Sequence, residues 1–223
     1  MTGDDQRTGL DWHDGSIPVS QRFGDPYFSV HDGLAETQHV FLAGNDLPAR
    51  FASGFHIAEL GFGTGLNLLA TLMMLAASPH SIRFTSFEAY PLTTAEMARA
   101  LDHFPQLQHI AAPLLAAWSA GLMRFDLGPI AVEVIIGDAR DTLPAWTGRA
   151  DAWFLDGFSP AKNPEMWSPD IMASVALHTA AKGTFATYTA AGHVRRALSD
   201  AGFNVERRPG HGQKRHMTTG ILA

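Results

Sequence analysis

The chain has 223 residues, 46% of them hydrophobic, which is enough to bury a sizeable core in a single domain. Its formal net charge of −6 argues against a surface given over wholly to nucleic acid, and the absence of cysteine excludes disulfides, thiolate metal sites and cysteine nucleophiles together. No apolar run approaches the roughly 18–20 residues of a membrane helix, and MTGDDQRTGLDWHDG lacks the basic and apolar regions of a signal peptide, so a soluble cytoplasmic protein with no membrane partner is expected.

Residues 1–50 read as an N-terminal extension packed on a domain spanning 51–223. Within it, Tyr27–Val30 and His39–Leu42 are expected to pair as a small antiparallel addition to the main sheet. From residue 51 onward, short apolar runs alternate with helical stretches. The predicted strands are His56–Leu60, Ile82–Glu88, Val132–Ile136, Ala152–Asp156 and Thr184–Tyr188. The predicted helices are Gly65–Ala77, Thr93–His103, Leu107–Trp118, Asp170–Ala181 and His193–Ala201. This alternation specifies an α/β fold with a mainly parallel sheet covered on both faces. It ends differently, in an antiparallel hairpin of Phe203–Arg208 and Met217–Leu222 across a Pro-Gly turn.

The first predicted strand runs into ELGFGTGLN (Glu59 to Asn67). Gly61, Gly63 and Gly65 allow a sharp turn and close approach to a ligand, and the helix that follows offers free N–H groups to a carboxylate. Nicotinamide-binding folds share glycines at this place, but two features favour S-adenosylmethionine. Glu59 lies two residues before the first glycine, where a carboxylate suits the methionine ammonium, directly or through water. Leu66 stands where the dinucleotide fingerprint requires its last glycine. Phe62, Thr64 and Asn67 complete the loop. Glu88 at the end of the next strand is placed to accept the ribose hydroxyls. Asp138 after the third is placed to reach the adenine amino group, with Ala139 against the ring. Three successive strands ending on acids behind one glycine loop point to a class I methyltransferase Rossmann-like fold.

Asp156 closes the fourth predicted strand, at the sheet edge where open α/β folds bind ligands. It opens DGFSPAKNPEMW (156–167), a loop stiffened by two prolines and walled by Phe158 and Trp167. Without a cysteine, a methyltransferase cannot activate a pyrimidine ring carbon through a thiolate, so the acceptor must already be nucleophilic. Charge is uneven along the chain. Residues 182–223 hold seven basic and two acidic groups, a plausible phosphate-facing lobe on an acidic body. Eleven histidines show no HExxH or paired-ligand spacing, so no metal is expected.

DPYFS (25–29), GLAETQHVFL (33–42), ELGFGTGLN (59–67), SFEAYPLT (86–93), DAWFLDGFSPAKNPEMW (151–167), HVRRALSDAGF (193–203) and GQKRHM (212–217) appear in order across nearly the whole chain. Together they resemble the methyltransferase domain of the bifunctional tRNA-modifying MnmC enzymes and their stand-alone relatives. The resemblance implies conversion of 5-aminomethyl-2-thiouridine at the tRNA wobble position to its 5-methylaminomethyl form, with S-adenosylmethionine as donor and tRNA as partner. It implies Asp156 as the catalytic residue, which also borders the cofactor, and Tyr27 closing over the cofactor. Phe158, Pro160, Lys162 and Asn163 would shape the uridine pocket. Arg195, Arg196, Arg207, Arg208, Lys214 and Arg215 are the candidate tRNA-backbone contacts. Two positions depart from the family pattern: His216 replaces a glutamate after Lys-Arg, and His211 replaces an aromatic. The FAD-dependent oxidase domain of the bifunctional enzyme has no counterpart here. The chain is therefore expected to accept the aminomethyl nucleoside without making it, and a separate oxidase partner stays open. Two other readings remain: a same-fold methyltransferase acting on a small amine or another RNA, and a non-catalytic binding module.

Overall fold

The computed structural model describes residues 9–223. The first eight residues of the extension, on which much of the signal-peptide comparison falls, lie outside the described residues. The chain opens with a three-stranded antiparallel sheet, β1 (Leu10–His13), β2 (Ile17–Ser20) and β3 (Asp25–Pro26). Helix α1 (Gly33–Thr37) follows and runs directly into a wider π-type turn over Gln38–Leu42.

The central sheet has eight strands. β4 (His56–Leu60), β5 (Ile82–Glu88), β7 (Ile130–Ile136), β8 (Ala150–Leu155) and β9 (Thr179–Thr187) run parallel. Edge strand β6 (Arg124–Leu127) and the hairpin β10 (Phe203–Pro209) and β11 (His216–Leu222) are antiparallel to their neighbours. The order is β10-β11-β9-β8-β4-β5-β7-β6, so the chain leaves β4 to one side and later returns to β8 on the other. Helices α2 (Leu66–Leu75), α3 (Thr94–Leu101), α4 (Gln108–Ser119), α5 (Ala139–Ala145), α6 (Pro169–Leu177) and α7 (Gly192–Asp200) link the strands.

Period-2 alternation divides the strand residues between two cores. Ile57, Phe84 and Phe154 pack with Leu68, Leu69 and Leu114 on one face. Ala58, Leu60, Phe87, Trp153 and Leu155 pack with Leu143, Ile171, Val175 and Leu198 on the other. The register aligns the strand ends. Leu60 lies opposite Phe87 and Leu155, and Glu88 opposite Ile136. Gly61, Glu88, Gly137 and Asp156 therefore share one edge of the sheet, beside the point where the strand order reverses.

Three local expectations change. Tyr27–Val30 and His39–Leu42 do not pair. Tyr27 N donates one bond to Pro18 O (3.0 Å) before the chain turns away. Asp32 accepts from Ala35 N (2.9 Å) and caps α1. Val40, Phe41 and Leu42 are buried in succession, which a half-buried strand cannot do and a turn packed inside the core can. Helix α6 stops at Leu177 instead of Ala181. Fully buried Thr179 turns its hydroxyl back to Val175 O (2.6 Å), and β9 starts there, opposite Ala150. β6 and α5 are additional elements: β6 is an edge strand with mostly solvated residues, and α5 buries only Leu143.

The extension is locked to the sheet by Asn45, which is 0% exposed. Its amide donates to Phe41 O (2.9 Å) and Trp153 O (3.2 Å), and its carbonyl accepts from Thr184 Oγ1 (2.6 Å). Arg50 reinforces the joint by donating to Asn45 O (3.1 Å) and Asp151 O (3.0 Å). Asn45→Leu leaves several buried polar groups without partners and is expected to cost about 2–3 kcal/mol, read as a lowered denaturation midpoint with an unchanged slope.

Candidate active site

A cavity of about 550 Å³ opens at the shared strand edge, within the roughly 300–1,000 Å³ typical of small-molecule pockets. Its floor is the glycine loop. Gly61 (φ +86°) and Gly63 (φ +53°) adopt left-handed backbone. A Cβ on Gly61 would meet the Gly157 backbone at 3.1 Å, and one on Gly63 would meet the Tyr27 ring at 3.2 Å. Glycine is thus required on both sides of the loop, against the Asp156 turn and beneath Tyr27. Phe62 stacks on Trp118 (centroids 5.1 Å apart, planes at 21°), and Thr64 is buried. Gly65 precedes the first turn of α2, whose N-terminal N–H groups lie at the cavity floor.

Asn67 is the hub of the site. Its amide donates to Glu59 Oε1 (2.8 Å) and to Asp156 Oδ2 (2.7 Å), while its carbonyl accepts from Thr37 Oγ1 (2.8 Å). Glu59 Oε2 accepts from Ser86 Oγ (2.6 Å) on the neighbouring strand. Glu59 is 1% exposed and lies beneath the cavity, outside its lining. Each of its oxygens accepts one hydrogen bond, and it is joined to the cavity wall through Asn67. Burial pushes the Glu59 carboxyl well above the usual range, against hydrogen bonds from Ser86 and Asn67. Asp156 does line the cavity. Burial raises its pKa to about 7, partly offset by the Asn67 amide and the Gly157 N–H.

Glu88 and Asp138 are both in the lining but differ in character. Glu88 accepts from Gly63 N (2.8 Å) and Tyr90 N (2.7 Å), and burial raises its pKa despite those donors. Asp138 caps α5 through Arg140 N (2.8 Å) and is paired with the Arg140 guanidinium (2.6 Å). That hydrogen bonding holds its carboxyl below the usual range, and an adenine amino group there must share its oxygens with Arg140. Ala139 lines the cavity beside it.

The loop after Asp156 is held by the N-terminal strands. Ser159 N donates to Asp25 Oδ2 (2.8 Å), and Trp167 Nε1 donates to Phe158 O (2.9 Å). Phe158 stacks on Phe23 (4.6 Å, 24°) and meets Tyr27 edge-on (5.0 Å). Phe158, Asn163 and Tyr27 face the cavity as the sequence suggests; Pro160 and Lys162 do not, and the Lys162 ammonium instead donates to Gly24 O (3.0 Å). Arg195, Arg196 and Arg215 lie outside the lining, and Arg208 pairs with Glu206 (3.2 Å). Lys214, whose side chain is 43% exposed, lines the cavity and pairs with Glu36 (2.8 Å). His211 also lines the cavity, whereas His216 is exposed at the start of β11. Arg22, Phe23, Asp25, Glu36, Thr37 and Tyr188 were not foreseen as lining residues. Tyr188 carried a sequence signal as the last residue of a predicted strand at the ligand edge, and Asp25, Glu36 and Thr37 lie in the motifs DPYFS and GLAETQHVFL.

The Asp156 carboxyl has a thermodynamic consequence. Its folded pKa, about 7, exceeds the ordinary aspartate value of 3.8, so the folded state holds the proton more tightly. The stability this adds is complete below about pH 4 and is lost as pH rises through about 7. Asp156→Asn removes that loss. Its melting temperature should exceed that of the unaltered protein by a few degrees at pH 8, and the difference should shrink toward pH 4. A difference independent of pH would contradict the assignment.

Comparison with known proteins agrees with this geometry. A family described as S-adenosyl-L-methionine-dependent methyltransferase matches residues 105–223. The tRNA 5-methylaminomethyl-2-thiouridine biosynthesis bifunctional protein MnmC of Stutzerimonas stutzeri is 46% identical over 97% of this chain. The protein of the same name from Caulobacter sp. strain K31 is 48% identical over 95%. The chain spans 35% and 38% of their lengths. The crystal structure of MNMC2 from Aquifex aeolicus superposes with a TM-score of 0.81 at 26% identity, covering 97% of this chain and 71% of that one. A precorrin-6y C5,15-methyltransferase from Geobacter metallireducens shares the fold alone, with a TM-score of 0.54 at 11% identity, covering 93% and 94% of the two chains. The chain belongs to the S-adenosyl-L-methionine-dependent methyltransferase family.

Proposed function

We propose that this protein methylates the exocyclic amine of 5-aminomethyl-2-thiouridine at the tRNA wobble position, giving the 5-methylaminomethyl form. The observation that carries the reading is Asp156: a carboxyl with its pKa near 7, set between the glycine loop and the Phe158 loop, inside one cavity. The names of relatives at 46–48% identity, which concern biosynthesis of this nucleoside, support the same acceptor. So does the lack of cysteine, because an amine needs no enzyme thiolate. Residues 9–50 belong, in this reading, to the same working unit as 51–223, since Phe23, Asp25, Tyr27 and Glu36 contribute walls of the cavity.

The residues present suit S-adenosylmethionine. The glycine loop and the N-terminus of α2 take the methionine end, Glu88 the ribose hydroxyls, and Asp138 with Ala139 the adenine. When bound, the cofactor supplies an electrophilic methyl whose C–S bond breaks, leaving its electron pair on sulfur, as the amine lone pair forms the new N–C bond. The chain's task is to present that lone pair. An alkyl amine with a pKa approaching the lysine value of about 10.4 arrives mostly protonated. Asp156 binds it, takes its proton and orients the free pair, and Asn67 fixes the carboxylate that does so. Phe158 and Phe23 offer flat apolar surfaces for a base. Arg195, Arg196, Arg207 and Arg215 are the phosphate-facing cations of this reading, and no further oxidase chemistry is assigned to the chain.

Incubating the protein with labelled cofactor and tRNA bearing the aminomethyl intermediate is expected to place label in 5-methylaminomethyl-2-thiouridine on nucleoside analysis. Label in a small amine but not in tRNA would favour a small-molecule acceptor. Asp156→Asn should cost about 100-fold or more in turnover, with cofactor affinity by calorimetry changed by less than about threefold; a substantially active variant would remove Asp156 from the role. Arg196→Gln with Arg215→Gln should weaken tRNA binding and reduce the salt slope of log K by about 0.7–0.9 per charge lost. An unchanged slope would place the tRNA contact elsewhere.

A further inference from the structure

The cavity holds a second polar cluster beside Asp156. Lys214 Nζ lies 2.8 Å from Glu36 Oε1 and 4.1 Å from the centroid of the Tyr188 ring. Glu36 is 8% exposed on α1, and the Tyr188 hydroxyl donates to Gly157 O (2.8 Å), next to Asp156. Thr37, adjacent to Glu36, reaches the same carboxylate through Asn67. Elements from three distant parts of the chain therefore converge on one carboxyl.

An acceptor amine in this cavity meets two carboxylates, Glu36 and Asp156. Nearby negative charge favours the ammonium form, which has no lone pair and cannot be methylated. A fixed cation acts in the opposite sense, as a like charge that makes the proton easier to lose. We infer that the Glu36–Lys214 pair sets the protonation state of the acceptor amine, with Lys214 as the cation that promotes its neutral form and Glu36 as the residue that positions Lys214. This inference rests on the aminomethyl acceptor proposed above. The amine's proton passes to Asp156, and the freed lone pair attacks the methyl.

The same two charges act on Asp156: Glu36 raises its pKa, and Lys214 lowers it, which keeps the accepting carboxyl ionised before the proton arrives. The groups facing Lys214 are Glu36 from α1, Tyr188 after β9, Asp156 at the end of β8 and His211 on its own loop. Asp25 of β3 acts on the cluster through Tyr188, and the His39 ring lies 5.7 Å from that of His211. Tyr188 stays protonated, because burial and these acids raise its pKa well above the usual value. It therefore presents a neutral ring face to the cation.

The test is the pH profile of single-turnover methyl transfer at saturating aminomethyl-bearing tRNA, which titrates groups in the enzyme–substrate complex, using the full chain and four proteins: unaltered, Lys214→Met, Lys214→Arg and Glu36→Gln. The ascending limb should move up on the order of one pH unit in Lys214→Met, so that activity returns at high pH. It should stay nearly in place in Lys214→Arg. In Glu36→Gln, where the amide oxygen still accepts from Lys214, it should move down. Cofactor affinity by calorimetry should be unchanged in all three variants. A loss uniform across pH in Lys214→Met, or limbs of Lys214→Met and Glu36→Gln moving the same way, overturns this inference alone. No transfer by the unaltered protein at any pH overturns the acceptor reading, and this inference with it.

Discussion

One side-chain amide organises the reactive end of this protein. Asn67 has two N–H bonds to give, and both go to carboxylates, Glu59 below and Asp156 in the cavity. Two acids so near each other in a poorly hydrated place cannot both carry full charge without compensation. The amide supplies a donor to each, while Thr37 satisfies its carbonyl from the N-terminal extension. Asn67 occupies the first turn of α2, so the glycine loop that starts the helix also fixes where Asp156 points. The glycine loop and the Asp156 carboxyl are thereby parts of one hydrogen-bonded unit.

The sheet gives that unit its contrast in acidity. Four strand ends deliver acids to one edge, and their surroundings separate them. Asp138 sits against the Arg140 guanidinium and stays ionised, whereas Asp156 is pushed up to about 7 by burial. Glu88 is buried but braced by backbone N–H groups from the glycine loop. Proton handling needs a carboxyl with a pKa near the working pH, and cofactor holding does not. Similar side chains at equivalent strand ends thus take different roles through their neighbours.

Much of this was legible in the sequence because it depends on local pattern. Strand His56–Leu60 with its glycines, Glu88, Asp138 and Asp156 all follow from alternation and strand ends, and the structure puts the last three in one cavity. What escaped depends on long-range packing. Glu59 reads as a residue of the cavity, yet it lies beneath the lining, where Ser86 from the adjacent strand donates to it. Lys214 reads as one more surface cation until Glu36, far back in the chain, pairs with it. His39–Leu42 has strand-like composition, but it coils as a π-type turn inside the core, with Phe41 packed against Phe154 of β8. In each case a partner distant in sequence decided the outcome, and residue spacing carries no trace of it.

The place of β11 between β9 and β10 bears on how the pocket is assembled. The loop that feeds this strand carries Lys214, while the glycine loop and α1 are made far earlier in the chain. Pairings of such wide sequence separation pay their loop-closure entropy before they gain contacts, and form late. A nascent chain can therefore build the cradle for the methyl donor well before the wall that carries Lys214 exists. The pocket is closed only where residues from both ends of the chain meet, Lys214 against Glu36.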